Sequence, residues 1–254
     1  MVWFAAVAVL LTATGWGLSH AAAIPTGSWG IHFQTEGEPP VGNTSQTALS
    51  RYDAAFLGDT DQKVLYLTFD AGYENGNVVK ILDVLKEKDA SAAFFVLGNL
   101  ITHDTALVRR MADEGHLICN HTVHHRDMTR VNNAEFLAEL QELEQLCEET
   151  VGAKMAPYYR PPEGRFSRDN LVCAKENGYQ TIFWSFAYPD WDNAKQMSPE
   201  RAKQKILENV HNGEVMLLHP TSATNAAILG DVIDELRAQG FHFGTLDELT
   251  GRAG

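Results

Sequence analysis

From Val64 onward the chain alternates short apolar runs, rich in β-branched and aromatic residues, with longer stretches that are apolar on one helical face. That alternation admits few folds. The strand-like runs lie at 64–69, 92–97, 116–120, 155–160, 180–186, 214–218 and, shorter, 241–244. Between them Val78, Ile81, Leu82 and Leu85 follow i, i+3, i+4, i+7 spacing, as do Leu229, Val232, Ile233 and Leu236. Phe136, Leu140, Leu143 and Cys147 mark a longer helix whose many glutamates read as a solvated outer face. Helices stop at Gly115, Gly178 and Gly240, each just before a strand. Glycine takes the left-handed cap conformation without a Cβ penalty. Strands separated by helical crossovers pair in parallel. The expected fold class is α/β, a distorted (β/α) barrel with about seven parallel strands, and an open doubly wound sheet is the alternative.

Residues 24–63 carry Gly, Pro, Asn, Ser and Thr with little periodicity and read as a loop-rich lead-in wrapping a domain at 64–250. Val2–Thr14 is apolar but short for a membrane span. Ala21-Ala22-Ala23 behind it has the small-residue pattern of a signal-peptidase site, although no Lys or Arg precedes Arg51. Residues 1–23 therefore read as an export signal or an uncleaved N-terminal anchor, and that segment is the one expected contact with a membrane. Both readings place the rest of the chain outside the cytoplasm. The net charge of −13 argues against nucleic acid as a partner, because no excess of base is present to neutralise phosphates. Cys119, Cys147 and Cys173 form no CxxC pattern and read as buried structural thiols.

In parallel α/β folds the active site is built at the C-terminal ends of the strands. The polar residues found there are Asp70, the run His121-Thr122-Val123-His124-His125, Arg160, Asp190 with Trp191, and His219. His121 and His125, four apart, can bring two imidazoles to one side of a turn, a donor pair suited to a divalent transition metal and to zinc above all. His124 then points elsewhere and reads as a support behind the ligands or as a structural residue. Asp70 and His219 form the base-and-acid pair that hydrolysis requires. Arg160 would hold Asp70 ionised, and Asp190 would orient His219 and keep it protonated. Leu217, Leu218 and Trp191 would form an apolar wall, and the Tyr159 backbone N–H is placed to meet an oxyanion.

Thr68-Phe69-Asp70-x-Gly72, His121-Thr122-x-x-His125, Arg160-Pro161-Pro162-x-Gly164, Asp190-Trp191 and Leu217-Leu218-His219 occur in an order that resembles the polysaccharide deacetylase family, also called carbohydrate esterase family 4. The resemblance covers about 64–250. It implies a distorted (β/α) barrel, a divalent metal, and hydrolytic removal of N-acetyl groups from amino sugars. By that resemblance Asp70 is the general base, His219 the general acid, His121 and His125 metal ligands, Arg160 the positioner of the base and Asp190 the tuner of His219. Asp70-Ala71-Gly72-Tyr73-Glu74-Asn75-Gly76, Trp184-Ser185-Phe186-Ala187-Tyr188 and Gly30-Ile31-His32-Phe33 look like the peptidoglycan branch. That branch takes acetyl from N-acetylmuramic acid on the way to muramic δ-lactam in spore cortex. The departure is Ala71, where the wider family has a second aspartate serving as a metal ligand; Asn75 or Glu74 is left as an alternative oxygen donor. Three readings follow: an active metal-dependent deacetylase on peptidoglycan or another amino-sugar glycan, a non-catalytic carbohydrate-binding module on a degenerate scaffold, and an intracellular amidohydrolase of small molecules.

Overall fold

The computed structural model describes Ile24 and residues 26–252, so the export segment expected at 1–23 lies outside the described residues. All the expected strands are present, and one more joins them in the main sheet: β1 (Ala54–Ala55), β2 (Val64–Ala71), β3 (Ala93–Val96), β4 (Leu117–Asn120), β5 (Tyr158–Tyr159), β6 (Gln180–Ile182), β7 (Glu214–Leu218) and β8 (His242–Gly244). They form one sheet in the order β7-β2-β3-β4-β5-β6-β1, with β8 also pairing with β2. Every pairing in that sheet is parallel. The longer helices are α1 (Val78–Glu87), α2 (Gly98–His103), α3 (Thr105–Asp113), α4 (Asn133–Thr150), α5 (Arg168–Glu176), α6 (Pro199–Asn209) and α7 (Ala223–Ala238).

The sheet curls far enough for its ends to meet. After β6 the Phe183 N–H still bonds Ala55 O at 2.8 Å, but Ser185 N–H reaches Val215 O and Leu217 N–H reaches Phe186 O, both at 2.9 Å. A few irregular residues thus bridge to β7 where a regular strand would stand, and the barrel is distorted at that seam. The same partner change cuts the expected 180–186 strand to three residues. Pro157 and Pro161, which lack N–H donors, bracket β5 and confine it to two. β1 carries too few residues to show any periodicity. Its presence corrects the reading of 24–63 as a mere wrapper, since this segment supplies a strand on β6.

Strand alternation sorts side chains to two layers. Leu65, Leu67, Phe69 and Ala71 join Phe94, Val96, Ile118, Met216 and Leu218 in the layer between sheet and helices. Val64, Tyr66, Phe95, Cys119, Tyr158 and Val215 fill the barrel interior. Each Leu, Ile, Val or Phe so buried contributes about 1.5–3 kcal/mol relative to exposure. The expected apolar stripes of α1, α4 and α7 are all buried. Gly115, Gly178 and Gly240 take φ of 83°, 84° and 90° at the helix-to-strand turns. The three cysteines are buried and free, Cys119 on β4, Cys147 on α4 and Cys173 on α5. One expectation fails on α4: Glu139 is only 5% exposed and turns inward, because it occupies the i+3 place of the Phe136 stripe. No helix among the described residues is long and apolar enough to cross a membrane.

Candidate active site

Register and alternation together assemble the site. Leu218 pairs with Phe69, so His219 and Asp70 lie side by side one residue beyond that pair. Val96 pairs with Asn120 and Asn120 with Tyr159, which brings His121 and Arg160 to the same rim. By period 2, Asp70, His121, Arg160, Leu217 and His219 share the phase of the interior residues Tyr66, Cys119, Tyr158 and Val215. Their side chains converge at the barrel mouth.

Arg160 is wholly buried, and its guanidinium bonds Asp70 Oδ1 at 2.9 Å, Ile182 O at 3.1 Å and Phe183 O at 3.3 Å. It also stacks 4.1 Å from the centroid of Phe95. Burial pushes the Asp70 carboxyl up, but His121, Arg160 and His219 outweigh it and hold the group below the usual carboxylate range. The other oxygen, Oδ2, faces His121 Nε2 at 3.5 Å. His121 Nδ1 donates to Arg160 O at 2.8 Å, which leaves Nε2 as the free lone pair toward the cleft. Burial drives the His121 imidazole down to about 4, so it is neutral at ordinary pH and available as a ligand. The His125 ring lies 5.0 Å from the His121 ring. His124 instead bonds Glu139 at 3.0 Å, a structural contact.

Asp190, 1% exposed, accepts from His219 twice, Oδ1 from Nδ1 at 2.7 Å and Oδ2 from the backbone N–H at 2.8 Å. Burial lowers the affinity of His219 for its proton, yet the bond and charge of Asp190, with Asp70 behind them, raise the imidazole above its ordinary value. Two residues the sequence reading missed complete this arrangement. Asn225 donates to Asp190 Oδ2 at 2.6 Å and to His219 O at 3.1 Å, and its own oxygen accepts from the Tyr188 hydroxyl. Ser222 caps α7 by accepting from Asn225 N–H at 3.1 Å, so the helix start is what aims Asn225 at Asp190.

Trp191 is 59% exposed, with its ring 6.0 Å from that of His219. Its loop is tied to the loop after β2 by Asn193, which donates to the Tyr73 hydroxyl at 2.8 Å. Leu217 is 5% exposed and holds the interior phase. Tyr159 does not fit its expected place. It lies in register with Asn120 on one side and Thr181 on the other, so its backbone is engaged in the ladder. Its ring packs outward against Phe136 at 5.3 Å, which follows from its being one residue out of phase with Arg160. The oxyanion role is withdrawn.

The family model for polysaccharide deacetylase matches residues 57–182. The peptidoglycan-N-acetylmuramic acid deacetylase PdaA of Bacillus subtilis is 37% identical over 252 residues, covering 98% of this chain and 96% of PdaA. The chain belongs to the polysaccharide deacetylase family. The solved structure of the same PdaA, described as a family 4 carbohydrate esterase, superposes with a TM-score of 0.84 at 38% identity, covering 91% of this chain and 98% of that one. A peptidoglycan-N-acetylglucosamine deacetylase of Bacillus cereus is 32% identical over 206 residues, 79% of this chain and 73% of the relative.

The donor set of this polysaccharide deacetylase can be tested against a divalent metal. Among the described residues no three His, Cys, Asp or Glu side chains converge as a metal-holding group. Ala71 is wholly buried in the sheet–helix layer and offers no oxygen. Asn75 is committed to Thr221 O at 2.9 Å and Asn77 N–H at 3.2 Å, while Glu74 Oε1 accepts from Gly76 N–H and its buried, unpartnered Oε2 does not converge with the two imidazoles. What remains is two close imidazoles, one already oriented through its Nδ1. That set fits a metal held by two protein nitrogens with its other positions open, and not a closed three-ligand cage.

Proposed function

We propose that the chain removes N-acetyl groups from N-acetylmuramic acid residues of peptidoglycan by metal-dependent hydrolysis, outside the cytoplasm, on the way to muramic δ-lactam in spore cortex. The observation that carries the reading is the proton-transfer pair. Asp70 is held ionised by Arg160, and His219 beside it is held protonated by Asp190. A binding module needs neither.

His121 and His125 would hold the metal. When bound there, it supplies Lewis acidity toward the acetyl carbonyl and the attacking water. Asp70 accepts the proton of that water as its oxygen bonds the acetyl carbon. His219 Nε2 then gives its proton to the departing amide nitrogen as the C–N bond breaks, releasing acetate and a free amine. Arg160 keeps Asp70 aimed and charged; Asp190 fixes the His219 tautomer with the proton-bearing Nε2 outward. Trp191 and Leu217 offer apolar surface to the sugar and to the acetyl methyl. Similarity to PdaA across nearly the whole chain supports muramic acid, and similarity to the Bacillus cereus N-acetylglucosamine deacetylase supports the alternative sugar.

The test is acetate release from muropeptides lacking the stem peptide and from chitooligosaccharides, with and without chelator, for the wild type and Asp70→Asn. Release from the muropeptide alone, lost with chelator and restored by zinc, is the expected result. Loss of Asp70 should cost about 10²- to 10⁴-fold in kcat. Release from neither glycan with metal supplied would sink the enzyme reading and favour the carbohydrate-binding one, which Ala71 motivates. Chelator-insensitive release would keep the enzyme and remove the metal.

A further inference from the structure

The loop joining the two imidazoles is strained. Thr122 and His125 take φ of 72° and 55°. Each such non-glycine residue costs on the order of 1–2 kcal/mol and persists only where its surroundings over-determine it. Two side chains supply that determination, both through α4. Asn120 Oδ1 accepts from Thr122 N–H and its Nδ2 donates to Leu140 O, each at 2.9 Å. Glu139 does more. Its Oε2 accepts the N–H groups of Val123 and His124, both at 3.1 Å, and its Oε1 meets His124 Nδ1 at 3.0 Å and the Arg126 guanidinium at 3.4 Å. One carboxylate therefore grips the residues on either side of the turn that delivers His125, whose own N–H closes onto Thr122 Oγ1 at 3.0 Å.

We propose that Glu139 is a positioning residue that sets His125 against His121. The proposal rests on reading those histidines as the metal-holding pair. A side chain on α4 is well suited to this task, because the helix packs rigidly on the sheet through Phe136, Leu140 and Leu143. Ala71 offers no third ligand and His121 is fixed through Arg160 O, so the pairing of the imidazoles turns on where the loop sets His125. Removing Glu139 leaves the Val123 and His124 N–H groups without their acceptor and takes away the carboxylate that opposes relaxation of the turn ahead of His125. Simple stapling of loop to helix is the competing role.

The experiment compares the wild type with Glu139→Ala, Glu139→Gln and a control on an exposed position of the same helix, Glu142→Ala. Two quantities are read: zinc affinity by competition with a chromogenic chelator, and the imidazole resonances of His121 and His125 in the metal-free protein. Glu139→Ala should weaken zinc binding on the order of 10- to 100-fold, the usual effect of removing a residue that orients a ligand. It should also broaden or move both imidazole resonances while the amides of β2 stay in place. Glu139→Gln keeps one acceptor oxygen for the two N–H groups and should recover most of the affinity; Glu142→Ala should match the wild type. A lower Tm for Glu139→Ala with unchanged zinc affinity and unmoved resonances overturns the proposal. If the wild type binds no zinc, the metal reading fails, and the metal-free resonances decide the matter for Glu139: moved sustains it, unmoved overturns it. Should Glu139→Ala not fold, Glu139→Asp, shorter by one methylene, takes its place with the same expected weakening.

Discussion

Asp70 and His219 are displaced in opposite directions from their ordinary proton affinities, and each displacement widens the pH range in which the base is ionised while the acid is protonated. Activity should therefore plateau between an acid limb below 3.8, the ordinary carboxyl value, and a basic limb above 6.5, the ordinary imidazole value. Asp190→Asn should draw the basic limb of kcat/KM downward and leave the acid limb in place; a basic limb unmoved by that change would refute the tuning role. The same shifts act on stability with opposite signs. The contribution of Asp70 is present above the unfolded carboxyl value and is lost as pH falls through its lowered native value. That of His219 is present below the unfolded imidazole value and is lost as pH rises through its raised native one. At this scale the sequence was informative wherever a strand tip carried the residue. Parity along the strand also shows why Tyr159 failed, since it neighbours Arg160 and must face the other way. Glu139 and Asn225 each sit on a buried helical stripe, Glu139 three residues after Phe136 and Asn225 four before Leu229. A polar residue inside an apolar stripe was the available signal.

The start of α7 links local structure to chemistry. Ser222→Ala removes the cap acceptor for Asn225 N–H and should cost about 1 kcal/mol, read as a lower urea midpoint at unchanged slope. Asn225→Ala leaves the cap but takes a donor from Asp190 and from the His219 carbonyl. Its expected signature is a fall in kcat with little change in KM, because the loss falls on the proton donor and not on the sugar contacts. Equal losses in both constants would argue for a substrate-binding role. Strands were legible as elements because five or more alternating residues leave a pattern. β1 and the seam around Phe186 were not, because their places depend on partners distant in sequence.

For the molecule as a whole, the lead-in is part of the core. Trp29 stacks on Phe183 and meets Phe56 at a tilt, both with ring centroids 4.8 Å away, and its Nε1 donates to Trp184 O at 2.9 Å. It wedges the segment before β1 against the seam after β6. Trp29→Ala should cost about 3–5 kcal/mol, with a correspondingly lower Tm. A change under about 1 kcal/mol would show that Trp29 does not anchor the segment. The α/β class followed from strand and helix alternation, whereas closure into a barrel did not, since an open sheet satisfies the same alternation.

The adjacency of β2 and β7 also bears on when the enzyme becomes competent during its own synthesis and refolding. Thr68 donates to the carbonyl of Met216 at 2.7 Å across 148 residues of sequence, and one turn of pleat further on Asp70 stands beside His219. Contacts so remote in sequence form late, because the entropy of closing the intervening chain must be met first. Ellipticity of the helices should recover early after dilution from denaturant, while acetate-releasing capacity returns only with the slowest conformational phase. A nascent chain lacking β7 would carry Asp70, His121 and Arg160 without His219, the proposed proton donor, and should be inert until that residue emerges.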